Sequence, residues 1–119
     1  MVKFRINMMS YIFVYGVFRD ANRNLLGNAI YCDPAWVYGK IYRVNEFYPG
    51  YKRVDCDDKV FGEVYLVDDE LLKKLDEFEG HEYERKTIWT SIGEECWIYE
   101  YKYPIDGFKE IRSGDWYLR

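Results

Sequence analysis

Of the 21 acidic residues in this chain, Glu79 occupies the position where a carboxylate is least expected. The segment Asp68-Asp69-Glu70-Leu71-Leu72-Lys73-Lys74-Leu75-Asp76-Glu77-Phe78-Glu79-Gly80 opens with acids suited to a helix N-terminus and closes on a glycine suited to ending one. The spacing predicts a helix over Asp69–Phe78, with Leu71, Leu72, Leu75 and Phe78 as its apolar stripe. At about 100° per residue, with Leu71 at 0°, Leu75 falls near 40°, Leu72 near 100° and Phe78 near 340°. Glu79 falls near about 80°, inside that arc, whereas Glu70, Lys73 and Glu77 lie at roughly 200° to 260° and Asp76 sits at the edge. A carboxylate on the buried side pairs with a cation, takes a raised pKa, or does acid–base chemistry. The alternatives are a frayed last turn that opens Glu79 to water, or an ion pair with a nearby arginine such as Arg85.

Other chemistries find less support. Cys32, Cys56 and Cys96 are odd in number and widely spaced, without a C-x-x-C, which argues against a disulfide framework or a zinc site and for reduced thiols in a cytoplasmic compartment. The single histidine, His81, follows Glu79-Gly80 and is expected in a solvent-facing turn; a serine triad would have to run through it, and no G-x-S-x-G elbow exists. Asp55-Cys56-Asp57-Asp58 lacks the glycine and terminal glutamate of a calcium loop and reads as a solvated acidic turn. Tyr51-Lys52-Arg53 could clamp a nucleotide, but three residues in an acidic chain are a weak signal. No G-x-G-x-x-G or Walker-type loop is present.

The elements that must position Glu79 are read from composition and periodicity. A length of 119 residues suits one domain, spanning residues 1–119. Lys and Arg number 17 against 21 acids, a net charge of -4, so a basic face for nucleic acid is not expected. Tyr, Phe and Trp make up 20% of the chain, which fits either aromatic cross-strand pairs or an aromatic-walled pocket with hydroxyls aimed inward. The apolar run Met8–Phe18, behind Lys3 and Arg5, imitates a signal peptide. It lacks a small-residue cleavage site, is too short to span a bilayer, and reads as a buried strand. Met8 or Met9 could equally serve as a start, leaving residues 1–10 as a candidate N-terminal extension.

Tyr11–Tyr15, stopped by Gly16, reads as a buried strand entering a tight turn, and strands are also expected at Lys40–Val44, Val60–Val67, Arg85–Thr90 and Glu95–Tyr103. In the last of these, Trp97, Tyr99, Tyr101 and Tyr103 share one face and Cys96 and Ile98 the other. Tyr48-Pro49-Gly50 and Ile92-Gly93-Glu94 are turns. Strands plus one strong helix make an α+β chain.

Four segments carry a resemblance. Phe13-Val14-Tyr15-Gly16-Val17-Phe18-Arg19, Val60-Phe61-Gly62-Glu63-Val64-Tyr65, Leu75-Asp76-Glu77-Phe78-Glu79-Gly80 followed by Tyr83-Glu84-Arg85, and Ile111-Arg112-Ser113-Gly114-Asp115-Trp116 stand in that order. Together they resemble the γ-glutamylcyclotransferase-like family, particularly its γ-glutamylamine cyclotransferase branch, over about Tyr11 to Tyr117. The resemblance implies a mixed β-barrel with a few packed helices and a pocket where the Tyr-Gly turn meets a glutamate. It implies Glu79 as acid/base, backbone amides of Tyr15, Gly16, Val17 and Phe18 as the holder of a γ-glutamyl group, and Tyr83 and Tyr99 as aromatic pocket walls. The implied reaction releases 5-oxoproline and a free amine from a γ-glutamyl amine or amino acid. It needs no metal or cofactor, and the implied enzyme is a cytoplasmic monomer or weak homo-oligomer without nucleic-acid or membrane partners. The chain departs from the family at Val17, where Ser or Thr is usual, at Phe18, where Leu is usual, and at Asp20-Ala21, which lacks a glycine. Gly16 supports the assignment physically, since a residue without Cβ lets amides approach a carboxylate or developing oxyanion. The alternatives are a non-catalytic module that binds a small ligand in the same pocket, favoured by Val17 and Phe18, and a protein-interaction domain using exposed Tyr and Trp.

Overall fold

A computed structural model describes residues 8–19 and 26–119; Lys3, Arg5, most of the candidate extension and Asp20-Ala21 lie outside the described residues. The expected α+β architecture takes the form of a strongly curled mixed sheet with one α-helix among the described residues. The strands are β1 (Met9–Val14), β2 (Ile30–Tyr38), β3 (Lys40–Arg43), β4 (Gly50–Lys52), β5 (Lys59–Asp68), β6 (Tyr83–Trp89), β7 (Glu95–Tyr101) and β8 (Lys109–Glu110). Helix α1 spans Asp69–Glu79. Seven strands run in the order β2-β5-β1-β7-β4-β3-β8, with β6 also paired to β7.

The second half of β1, Ile12 to Val14, reads as a continuous apolar run because both its faces are buried there. Alternate side chains enter different cores. Phe13 joins Val37, Ile41, Tyr51, Val60, Val64, Ile98 and Trp116 inside the curl, while Ile12 and Val14 join Tyr65, Val67, Leu72, Leu75 and Tyr99 under α1. The alternation expected of β7 holds in the same way, with Cys96 and Ile98 in the first core and Trp97 and Tyr99 against the second.

Strands β2, β4 and β8 were not expected from the sequence. Pro34 interrupts what would otherwise read as a strand, but among the described residues β2 is an edge strand paired only to β5, with a register shift between Tyr31 and Asp33, where a missing N–H is tolerated. The strand is also mostly exposed, which removes the apolar alternation that would have marked it.

Helix α1 starts where β5 ends, without a loop. Asp68 closes the strand and caps the helix by accepting from the amide of Leu71 at 2.8 Å. Gly80 ends it at φ 67°, a left-handed conformation suited to glycine, and donates its amide to the carbonyl of Asp76. The expected apolar stripe needs one correction. Leu72 and Leu75 are buried, but Phe78 is 67% exposed, because the helix rides on the sheet at its N-terminal end and its last turn overhangs a cavity.

The C-terminal segment is tied to the start of the chain. Arg19 donates through Nη1 to Oδ1 of Asp115 at 2.6 Å and lies over the ring of Tyr117 at 4.1 Å, and the same Oδ1 accepts the amide of Tyr117 at 2.9 Å. Among the described residues Asp115 is the carboxylate paired with Arg19, so removing it takes that partner from a mostly buried guanidinium, which is costly. Asp115→Ala is therefore expected to lower stability by about 2–4 kcal/mol, read as a shift of the urea midpoint. Asp115→Asn, which keeps the amide acceptor but not the charge, should fall between wild type and Ala.

Candidate active site

The end of β1, the turn that follows it and the end of α1 surround a cavity of about 190 Å³. Its lining includes Tyr15, Gly16, Val17, Phe18, Glu79, Tyr83 and Tyr99, all seven of the residues singled out in the sequence, with Phe13, Val14, Tyr48, Pro49, Phe78 and Glu82 added. The volume is below the roughly 300–1,000 Å³ of pockets for drug-sized ligands and suits an amino-acid-sized group.

The turn is held by the amide of Arg19, which donates to the carbonyl of Gly16 at 3.0 Å. That bond leaves the amides of Val17 and Phe18 without a protein acceptor among the described residues. Gly16 is required by contact rather than by φ. A Cβ there would lie 2.7 Å from Cδ of Pro49, so the turn can pack against the Tyr48-Pro49 wall only without a side chain.

The tyrosines contribute rings to the cavity, and their hydroxyls are turned elsewhere. Tyr15 donates to the carbonyl of Tyr99 at 2.6 Å, Tyr83 to the carbonyl of Pro49 at 2.7 Å, and Tyr99 to Oδ1 of Asp76 at 2.7 Å. Burial, reinforced by neighbouring negative charge, raises the pKa of all three, so they stay neutral. The inward-aimed hydroxyls that the composition allowed are thus absent at these positions.

This arrangement decides the state of Glu79. Its carboxylate makes no hydrogen bond or ion pair with any described residue, and burial alone raises its pKa to about 7. A carboxyl group poised at neutrality can both accept and return a proton. Glu82 shares the cavity. The sequence pattern does not show this, because Gly80 breaks the helix and Gly80–Glu82 forms a short 3₁₀ turn, so the helical wheel no longer applies. In the sequence Tyr48 and Pro49 mark only a turn, yet both line the cavity. His81 is exposed in that 3₁₀ segment, as expected.

Arg85, considered as a partner for Glu79, is engaged elsewhere. Its Nε and Nη2 donate to the two oxygens of Asp76 at 2.8 and 3.1 Å, and its guanidinium covers the ring of Trp97 at 4.1 Å. Asp76, expected only at the edge of the stripe, therefore holds both Arg85 and the hydroxyl of Tyr99. Among the described residues no group of His, Cys, Asp and Glu could hold a metal ion, and no helix is long and apolar enough to cross a membrane.

Residues 12–118 match the family described as gamma-glutamyl cyclotransferase, AIG2-like. The chain belongs to the γ-glutamylcyclotransferase family. It is 38% identical over 114 residues to the Escherichia coli gamma-glutamylcyclotransferase family protein YtfP, covering 88% of this chain and 94% of that one. The solution NMR structure of Escherichia coli ytfP superposes with a TM-score of 0.69 at 37% identity, over 89% of this chain and 95% of that one. The crystal structure of YkqA from Bacillus subtilis gives a TM-score of 0.77 at 29% identity, covering 92% of this chain but 40% of that longer one. The family match includes the turn after β1, all of α1 and the C-terminal Ile111–Trp116 segment. Within this γ-glutamylcyclotransferase fold, Phe18 and Phe78 meet edge-on at the cavity, with ring centroids 5.2 Å apart.

The raised pKa of Glu79 carries a stability consequence with a definite sign. The folded state binds the proton more tightly than the unfolded chain, so stability falls as pH rises from about 4.5 to about 7. Glu79→Gln removes that loss. It is expected to be more stable than wild type by on the order of 1–3 kcal/mol at pH 8, with the difference vanishing near pH 4. Melting curves across pH read this directly, and a Gln variant less stable at pH 8 would contradict the electrostatic account.

Proposed function

We propose that this chain catalyses cyclisation of a γ-glutamyl amine or γ-glutamyl amino acid, releasing 5-oxoproline and a free amine. The observation that carries the proposal is a carboxylate with a pKa of about 7 lining the same cavity as the glycine turn. In this reaction the substrate's α-amine attacks its own γ-carbonyl and closes a five-membered lactam. The α-ammonium must first lose a proton. Glu79 takes it, the freed nitrogen attacks, and the γ-carbon becomes tetrahedral with charge developing on its oxygen.

The tetrahedral carbon then re-forms its carbonyl as its bond to the original amide nitrogen breaks, and two protons move overall from the attacking nitrogen to the departing one. A single carboxylate carries them in turn, returning each to the leaving nitrogen, so proton number balances and no external acid is consumed. The amides of Val17 and Phe18 are the donors assigned to the γ-glutamyl group or its developing oxyanion. The aromatic walls exclude water, strengthening these interactions. Because nucleophile and electrophile share one molecule, much of the rate gain comes from folding the substrate into the cavity. The chain is proposed to act in the cytoplasm without a cofactor.

The test is incubation with a panel of γ-glutamyl amines and γ-glutamyl amino acids, with 5-oxoproline measured as product. Wild type is expected to release it from at least one, and Glu79→Gln to lose about 10²- to 10⁴-fold in kcat while still binding substrate. The Glu79 limb of the wild-type profile should rise with pH through about 7, because the carboxylate must be ionised to start the reaction. Glu77→Gln, on the exposed face, serves as the control. Asp76→Asn does not, since it would break the Arg85 and Tyr99 contacts. Saturable binding of the panel without turnover by wild type would favour the ligand-binding module, for which the missing hydroxyl at Val17 and the Phe18–Phe78 contact are the relevant features.

A further inference from the structure

A second cleft, of about 450 Å³, lies away from Glu79 and shares no lining residue with its cavity. It is formed where β8 and the C-terminal turn meet the end of β3, and it collects Arg43, Lys109, Arg112 and Arg119. In a chain of net charge -4 this is a local reversal of sign. Arg43, Lys109 and Arg112 make no ion pair with any described residue. Glu110, the lining carboxylate, is engaged by Lys40 at 3.4 Å.

The register makes the arrangement unfavourable by itself. Arg43 and Lys109 are directly opposed in the β3–β8 ladder, so two unpaired cations face each other across one sheet face. Like charges in that relation destabilise a sheet. The amides of Arg112 and Ser113, in the turn closed by the Gly114 amide on the Ile111 carbonyl, have no protein acceptor among the described residues. Arg119 is held in place by Nη1 donation to the Trp116 carbonyl at 2.7 Å and by stacking over the Trp116 ring at 4.0 Å. The buried Ile111 supplies an apolar floor and the exposed Leu118 an apolar rim.

We propose that this cleft binds a compact multivalent oxyanion of the phosphate-ester or diphosphate class. Such a ligand neutralises the opposed Arg43 and Lys109, takes a charge-assisted contact from Arg112, and accepts from the free turn amides. A single carboxylate satisfies fewer of these donors. A nucleic-acid strand fits less well, because these four cations form one compact group and not an extended stripe, in a chain that is acidic overall.

Inorganic pyrophosphate is the probe, titrated calorimetrically and by thermal melting at low and at about 0.15 M salt. Wild type is expected to bind one pyrophosphate per chain and to melt higher in its presence. Lys109→Gln and Arg112→Gln should each weaken binding by about tenfold or more, and Lys102→Gln, an exposed change of equal charge elsewhere, should not. Lys109→Gln should also melt roughly 1–3 °C higher than wild type without pyrophosphate, because the opposed charge is gone. All three substitutions are of exposed side chains, so folding is preserved. Absence of saturable binding at millimolar pyrophosphate overturns the proposal, as does binding that survives both cleft substitutions. A single-stranded oligonucleotide that binds where pyrophosphate does not would also overturn it, in favour of an extended surface.

Discussion

The hydroxyl of Tyr15 joins three strands at the point where backbone pairing is thinnest. It accepts the amide of Tyr51 in β4 at 3.0 Å and donates to the carbonyl of Tyr99 in β7 at 2.6 Å. The β1–β7 and β4–β7 ladders are parallel, and each carries one register pair, Ile12 with Trp97 and Tyr51 with Glu100. Buried backbone groups between diverging strands need partners, and one side chain supplies two of them. Because Tyr15 immediately precedes Gly16, the bond that ties the strands also sets where the turn begins.

The same economy governs the electrostatics of the cavity. A hydroxyl donating to Glu79 would stabilise its ionised form and lower its pKa. Tyr15, Tyr83 and Tyr99 instead spend their protons on two carbonyls and on Asp76, presenting hydrocarbon to the carboxylate. Architecture and acidity are therefore linked: burial pushes the Glu79 carboxyl up to about 7, and the bonds that hold the tyrosines keep their hydroxyls from offsetting it. Asp76 and Glu79, three residues apart on one helix, have opposite environments. Asp76 faces Arg85 and Tyr99; Glu79 faces rings.

Much of the frame was legible before any coordinates. β1, β5, β6, β7 and α1 carry strong periodicity or clear stops, and their bounds differ from expectation by a few residues at most. Strands β2, β4 and β8 were hidden for physical reasons, one by Pro34 and exposure at a sheet edge, the others by being two or three residues long. Phe78 shows the limit of the helical wheel. The wheel gives an azimuth, but burial also depends on what lies beneath each turn of the helix, and the cavity begins under its last turn.

The amino-acid order alone determined the turn after β1, the capped and glycine-terminated helix, and the inward azimuth of Glu79. These are local consequences of side-chain shape, φ preference and a period of about 3.6 residues. Tertiary structure decided which groups meet. Arg85 was near enough in sequence for Glu79 but is taken by Asp76, and the tyrosine hydroxyls could have pointed inward but bond to carbonyls and a carboxylate far along the chain. Pairing of that kind depends on strand order and on competition among all buried donors and acceptors. The acidity of Glu79 is set by its surroundings in three dimensions, not by its place in the sequence.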